Sequence, residues 1–193
     1  MILEERLRKE VEERKALPET QAGFRRGRGT MDNIYILNYV IGKEIQKKGG
    51  KVYAFFADLK AAFDRINRKK LWILMRRKGI SQHLVRRIEE IYKETTNTVL
   101  IDGKQTEEFW TELGVRQGCP LSPTLFALYI ADIEDVLRKG QAGGLVIGRE
   151  KLWSLAYADD IVLVAKNADE MKEMLKSFAK FLERRDLILS VEK

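Results

Sequence analysis

The stretch Leu152-Trp-Ser-Leu-Ala-Tyr-Ala-Asp-Asp-Ile-Val-Leu-Val-Ala165 decides the fold. Two apolar runs of strand length, Leu152–Tyr157 and Ile161–Ala165, are separated only by Ala158-Asp159-Asp160. That pattern predicts a tight antiparallel hairpin with two carboxylates at its bend. Aspartate is favoured in turns for its own sake, so a plain turn explains either residue alone. Two adjacent aspartates between apolar strands repel at neutral pH unless a cation or a proton neutralises one of them. A similar acid sits upstream. Val52-Tyr-Ala-Phe-Phe-Ala57 is an uncharged run, read as a strand buried on both faces, and Asp58 follows it immediately. Carboxylates converging at strand ends make a site of high negative charge density. Its natural occupants are one or two hard divalent cations with oxygen ligands, Mg²⁺ foremost. Two such ions would suit an in-line phosphoryl displacement.

Composition narrows the chemistry further. The chain has 193 residues, 45% of them apolar and 34% charged, the balance of a globular protein of one domain or one domain with a sub-lobe. No apolar run approaches the roughly 18 residues of a membrane span, and the charged start, Met1-Ile-Leu-Glu-Glu-Arg-Leu-Arg-Lys-Glu10, is no secretory leader. A single cysteine, Cys119, excludes an internal disulfide and a Cys-rich zinc site. A single histidine, His83, excludes a histidine metal cage. The chemistry must therefore run on carboxylates, basic groups and backbone.

The net charge is +7, and it is concentrated. Between Lys60 and Lys93 stand eleven Lys or Arg residues and three acids. One reading is a pair of solvated helix faces; the other is a surface for a polyanion, nucleic acid being the commonest. Lys69, Lys70, Arg76 and Arg77 lie in this stretch. A second basic cluster, Arg25, Arg26 and Arg28, alternates with Gly23, Gly27 and Gly29, which lets backbone approach a phosphate chain or simply forms a turn.

Periodicity places the remaining elements. It predicts helices over 2–16 (stopped near Pro18), about 31–48 with Thr30 as its cap, Asn67 to Gly79, and from Ser81. A hairpin is predicted around Asp102-Gly103, followed by one apolar helix from Ser122-Pro123 to about Lys139. An amphipathic helix from Asn167 or Asp169 to about Arg185 precedes a strand over Leu187–Val191. Antiparallel hairpins mixed with long helices give an α+β class, helices packed against one face of a sheet.

Four motifs, in order, then carry a resemblance. Gln21-Ala-Gly-Phe-Arg-Arg-Gly-Arg-Gly-Thr30, Phe55-Phe-Ala-Asp-Leu-Lys-Ala-Ala-Phe-Asp64, Arg116-Gln-Gly-Cys-Pro-Leu-Ser-Pro123 and Tyr157-Ala-Asp-Asp160 resemble a fingers motif and motifs A, B and C of reverse transcriptases. The type is that of non-LTR (LINE-like) retrotransposons and group II introns. The string Arg116–Pro123 is the most specific of the four.

The resemblance implies a right-hand polymerase palm, an antiparallel sheet with helices on one face, plus part of the fingers. It implies RNA-directed DNA polymerase activity: template-directed transfer of dNMP to a primer 3′-hydroxyl with two Mg²⁺ ions, Mn²⁺ being a possible substitute. Asp58, Asp159 and Asp160 match the catalytic carboxylates, and the carbonyl of Leu59 would join the metal coordination. Phe63 matches the gate beneath the incoming sugar, where an aromatic ring excludes a 2′-hydroxyl; a core aromatic is the other reading. Arg116 and Gln117 match residues beside the nucleotide. Arg25 and Arg28, with Lys69, Lys70, Arg76 and Arg77, would lie along nucleic acid. Partners would be an RNA template, a DNA primer and dNTP, with no membrane. The location would be intracellular, nuclear for a eukaryotic mobile element.

By the same resemblance, 1–193 is a single fragment, with 1–50 and 67–114 as partial fingers and 51–66 and 115–193 as palm. Fingertip hairpin, thumb and any nuclease domain are expected to be absent, which would leave the fragment poorly active alone. Two alternatives remain: a non-catalytic nucleic-acid-binding module derived from a polymerase, and an RNA-dependent RNA polymerase.

Overall fold

The computed structural model describes residues 2–190. Its centre is a three-stranded antiparallel sheet of order β1-β9-β8, where β1 is Tyr53–Ala57, β8 is Ser154–Tyr157 and β9 is Asp160–Ala165. The hairpin expected from 152–165 is present, with Tyr157 opposite Asp160 and a two-residue bend of Ala158 and Asp159. β1 runs antiparallel to β9 with Ala57 opposite Ile161 and Tyr53 opposite Ala165. The class is α+β, as the element order predicts.

The sheet divides the core by strand parity. Ile161, Leu163 and Ala165 face the main core, together with Ala57, Ala156 and residues of every helix but one. At its centre is α5, Ser122–Ile130, every residue of which except Pro123 is buried. A helix apolar all round has no solvent face to offer and must be enclosed. Around it pack α1 (Ile2–Glu13), α3 (Arg68–Arg77), α4 (Gln82–Lys93), α6 (Ile133–Gly140) and α7 (Ala168–Arg184). Val162, Val164 and Leu155 face the other way, into a smaller cluster with Val40 of α2 (Thr30–Ile45) and with β6 (Leu145–Ile147) and β7 (Glu150–Leu152).

Three expectations about whole elements need correction. β1 is not buried on both faces: Phe56 is 72% exposed and Tyr53 39%. It is the outer strand of the sheet, and α2 lies over β8 and β6 rather than over β1. The helix expected from Ser122 to Lys139 is two, broken at Ala131 and Asp132. The cause is Arg185, whose Nε donates to the Tyr129 carbonyl at 3.0 Å while its Nη2 pairs with the Asp132 carboxylate. An acceptor of the helical ladder is thereby taken by a side chain. The last strand reduces to a single bridge, Leu59 with Leu189, flanked by hydrogen bonds from Lys60 N to Ile188 O and from Ser190 N to Asp58 O. Val191 lies outside the described residues.

Other local readings hold in part: Thr30 is the first residue of α2 rather than its cap, the cap position being Gly29, whose N–H donates to Asp32 Oδ2 at 2.7 Å. Asn67 and Asn167 cap α3 and α7, their side-chain oxygens accepting from Lys70 N at 3.2 Å and Glu170 N at 2.8 Å. Asp102 and Gly103 both take positive φ, +48° and +77°, between β3 (Leu100–Ile101) and β4 (Lys104–Gln105). That is the left-handed pair a two-residue hairpin needs. β2 (Thr96–Asn97) and β5 (Phe109–Trp110) continue the same ribbon. Ser81 precedes α4 but does not cap it; its N–H and hydroxyl both bond the Glu10 carboxylate, at 2.7 Å each, and so tie α4 to α1. Among the described residues no helix is long and apolar enough to cross a membrane.

Candidate active site

The register of the sheet builds the site. Ala57 is paired with Ile161, so the next residues outward, Asp58 and Asp160, emerge at the same end of adjacent antiparallel strands. Their parity is that of Phe56 and Val162, the face away from the main core. Both line one pocket of about 540 Å³, with Tyr157, Phe56, Leu155 and, from α2, Asn33, Ile34 and Leu37. Asp159 is half-buried in the bend itself. Ala158 beside it is buried and has φ of +59°, a left-handed conformation that costs a residue with a β-carbon about 1–2 kcal/mol. The strained bend is held from outside by residues 20–23, which run alongside β8.

Asp58 and Asp160 present hard oxygen donors at a pocket mouth, next to the bend that carries Asp159. Among the described residues, no three Asp, Glu, His or Cys side chains form a ready metal cage. This donor set fits Mg²⁺ rather than a closed structural site. Magnesium keeps several waters and is commonly bound by one or two carboxylates plus substrate phosphates.

The chain matches, over residues 1–193, the family model described as reverse transcriptase (RNA-dependent DNA polymerase). It belongs to the reverse transcriptase family. Among its relatives is a Retrovirus-related Pol polyprotein from type-1 retrotransposable element R2 of Popillia japonica. That protein is 31% identical over 194 residues, all of this chain and 26% of the relative. An RNA-directed DNA polymerase from mobile element jockey of Drosophila funebris is 28% identical over 85% of the chain and 18% of the relative. This reverse transcriptase chain thus spans about a quarter or less of the length of these relatives. An apo telomerase from Candida tropicalis has the same fold, with a TM-score of 0.69 at 16% identity, over 99% of this chain and 35% of that one.

The other site residues expected for a reverse transcriptase occupy different surroundings. Phe63 is half-buried against the main core, stacked on Phe126 at 4.8 Å between centroids and met edge-on by Phe24 at 6.3 Å. Gln117 donates to Asp64, Nε2 to Oδ1 3.2 Å, and both line a separate cleft of about 1070 Å³ with Trp110 and Thr111. Arg116 reaches away from the carboxylates. Its Nη2 donates to the Ile91 carbonyl at 2.9 Å, and its guanidinium lies over the Tyr92 ring. Cys119 is half-buried against the core, and His83 is exposed.

The basic residues divide into committed and open groups. Arg25 makes a two-pronged pair with Glu12, Nε to Oε1 3.0 Å and Nη2 to Oε2 2.7 Å, and also donates to the Pro18 carbonyl. Those hydrogen bonds hold the Glu12 carboxyl below, and the Arg25 guanidinium above, their ordinary values. Arg28 pairs with Glu19, Lys70 with Asp186 and Arg76 with Glu89. Lys69 and Arg77 stand exposed on α3.

Sequence reasoning missed Arg68. It sits among the eleven basic residues of 60–93, yet it is 8% exposed and donates to four carbonyls: Gly114, Tyr92, Thr111 and Leu113, at 2.6–3.2 Å. It joins α3 to the end of α4 and to the segment leading into Arg116 and Gln117. Nothing in a run of basic residues distinguishes the one that turns inward.

Proposed function

We propose that this chain forms the palm and part of the fingers of an RNA-directed DNA polymerase of a non-LTR mobile element, which adds dNMP to a primer 3′-hydroxyl. The observation that carries the reading is the register that sets Asp58 and Asp160 side by side at one sheet end, flanking the bend of Asp159. Family membership supports it, as do relatives named RNA-directed DNA polymerase and Pol polyprotein.

In this reading Asp58, Asp159 and Asp160 hold the divalent ions, with the Leu59 carbonyl as a further donor. Bound Mg²⁺ would supply Lewis acidity at the attacking hydroxyl and charge neutralisation at the leaving pyrophosphate. The protein's own part is positioning. Phe63, fixed by its stacking on Phe126, gates the sugar. Gln117, oriented by Asp64, stands beside the nucleotide, and Arg116, turned to the Ile91 carbonyl and the Tyr92 ring, holds the segment that carries Gln117. Lys69 and Arg77, exposed on α3, lie along the phosphates of template and primer, which requires no base reading, whereas Lys70, Arg76, Arg25 and Arg28 are held in ion pairs. Segments 51–66 and 115–193 make the palm; 1–50 and 67–114 belong to the fingers. The setting is intracellular, and nuclear in a eukaryote.

Primer extension on an RNA template with dNTPs and Mg²⁺, comparing the wild type with Asp159→Asn, tests this. Template-dependent DNA synthesis that the substitution abolishes supports the polymerase. Synthesis unchanged by Asp159→Asn overturns it in favour of a binding module, and equal use of rNTPs points to an RNA polymerase.

A further inference from the structure

The motif Gln21-Ala-Gly-Phe-Arg-Arg-Gly-Arg-Gly-Thr30 has no role yet that its geometry explains. Arg25 is committed to Glu12, and Arg28 to Glu19. The start of the motif touches the carboxylate hairpin instead. Gln21 forms a parallel bridge with Ala156 of β8. Ala22 N donates to the Ala156 carbonyl at 2.9 Å, Ala156 N donates to the Thr20 carbonyl at 2.9 Å, and Asn33 Nδ2 from α2 shares the Ala156 carbonyl at 3.0 Å. Backbone alone therefore fixes this segment alongside the hairpin.

Two side-chain features then act on the bend. Gln21 is 2% exposed, and its amide works in both directions: Nε2 donates to the Ala158 carbonyl at 3.3 Å, and Oε1 accepts from Gly23 N at 3.0 Å. Gly23 leaves no room: a β-carbon there would lie 2.2 Å from the Ala158 nitrogen and 3.0 Å from the Tyr157 carbonyl carbon. The residue so gripped, Ala158, is the one in the left-handed conformation, directly before Asp159. A strained backbone persists only when its surroundings over-determine it. The segment is itself anchored, through Arg25 to α1 and through the Thr20 hydroxyl, which donates to Glu134 at 3.3 Å.

We propose that Gln21 and Gly23 are positioning residues for the Asp159-Asp160 hairpin, a buttress that fixes the spacing of these carboxylates from Asp58. The inference rests on the polymerase reading of those carboxylates. Gln21 acts through Ala158, both ends of its amide being bonded to backbone.

The test uses the intact protein with Gln21→Met, which keeps length and loses the amide, and Gly23→Ala, which drives a methyl into the bend. Tyr129→Phe serves as a control, removing a buried hydroxyl that donates to the Arg185 carbonyl at 2.6 Å, away from the hairpin. We expect Gln21→Met and Gly23→Ala to lower kcat for primer extension at least tenfold, with primer-template affinity within twofold of wild type. Mn²⁺ binding followed by electron paramagnetic resonance should weaken, and amide exchange of 157–160 should rise at least tenfold. Tyr129→Phe should lower Tm without these changes. If Gly23→Ala does not fold, Gln21→Met carries the test alone.

Wild-type exchange in the hairpin of Gln21→Met overturns the buttress itself. So does a kcat loss that Tyr129→Phe reproduces at equal loss of Tm. Altered exchange together with an Asp159→Asn variant of undiminished activity overturns the proposal through the catalytic reading instead, so the two failures are distinguishable.

Discussion

Ala57 lies directly opposite Ile161, the last pair of the β1–β9 ladder, and each is followed outward by an aspartate. Asp58 leaves one strand at the point where Asp160 enters its antiparallel neighbour. Residues more than a hundred positions apart in the chain thereby line one pocket, with the Asp159 bend beside them.

Asp58→Asn tests this pairing directly. The substitution keeps shape and removes one negative donor, so primer extension in Mg²⁺ should fall by a factor of about 10²–10³, on the order of 3–4 kcal/mol of lost transition-state stabilisation. Single-turnover extension measures the loss, and a melting curve on the same sample shows that the variant is folded.

Arg68→Met should be destabilising by on the order of 3 kcal/mol, since four carbonyls lose their donor, those of Gly114 and Tyr92 belonging to buried residues. Arg68→Lys should recover only part of this, because one ammonium cannot reproduce the fork that spans Gly114, Tyr92, Thr111 and Leu113. Urea unfolding of the three proteins gives the comparison.

Phe63→Ala separates the two roles open to that ring. It should cost about 2–3 kcal/mol through lost packing on Phe126 and Phe24. As the sugar gate, it should also raise the use of rNTPs relative to dNTPs. The ratio of kcat/KM for matched nucleotides decides it: an unchanged ratio leaves Phe63 a core aromatic only.

Glu134 gives a stability signal with a defined sign. Burial raises its carboxyl above 4.5, opposed by hydrogen bonds from Ser154, from the Trp153 backbone and from Thr20. A raised folded value favours the protonated form, so this contribution is fully present below about pH 4.5 and is lost as pH rises through the folded value. Glu134→Gln accepts the same hydroxyls without charge. Its Tm should therefore gain on the wild type as pH is raised from 4.5 to 7.

Glu12 and Asp186 act in the opposite direction. Hydrogen bonds from Arg25 and from Lys70 hold them below their ordinary values, 4.5 and 3.8. Their stabilisation is present above those values and is lost as pH falls through the lower folded ones. Glu12→Gln should accordingly be less stable than wild type at pH 7, with the gap closing on acidification toward pH 3. Melting curves across that range check it.

Much of the fold was legible because its signals are local. The caps Asn67 and Asn167, the left-handed pair Asp102-Gly103 and the amphipathic period of α4 and α7 depend on a few neighbouring residues. The break at Ala131 was not legible, because Arg185 causes it from 54 positions away. Arg68 was hidden for a similar reason. Its neighbours Lys69 and Lys70 carry the same charge, and only the packing of α3 on α4 selects which one is enclosed.

By itself the sequence determined where strands end in acids, which turns are tight, and that the chemistry must rest on carboxylates, because it has one cysteine and one histidine. Only the tertiary structure decided that Asp58 and Asp160 share one sheet end, that Phe56 is left open, and that Gly23 presses on Ala158. The physical reason is range. Turn and strand preferences arise from bonded neighbours and backbone sterics, whereas strand register and close backbone contact depend on how distant segments pack together.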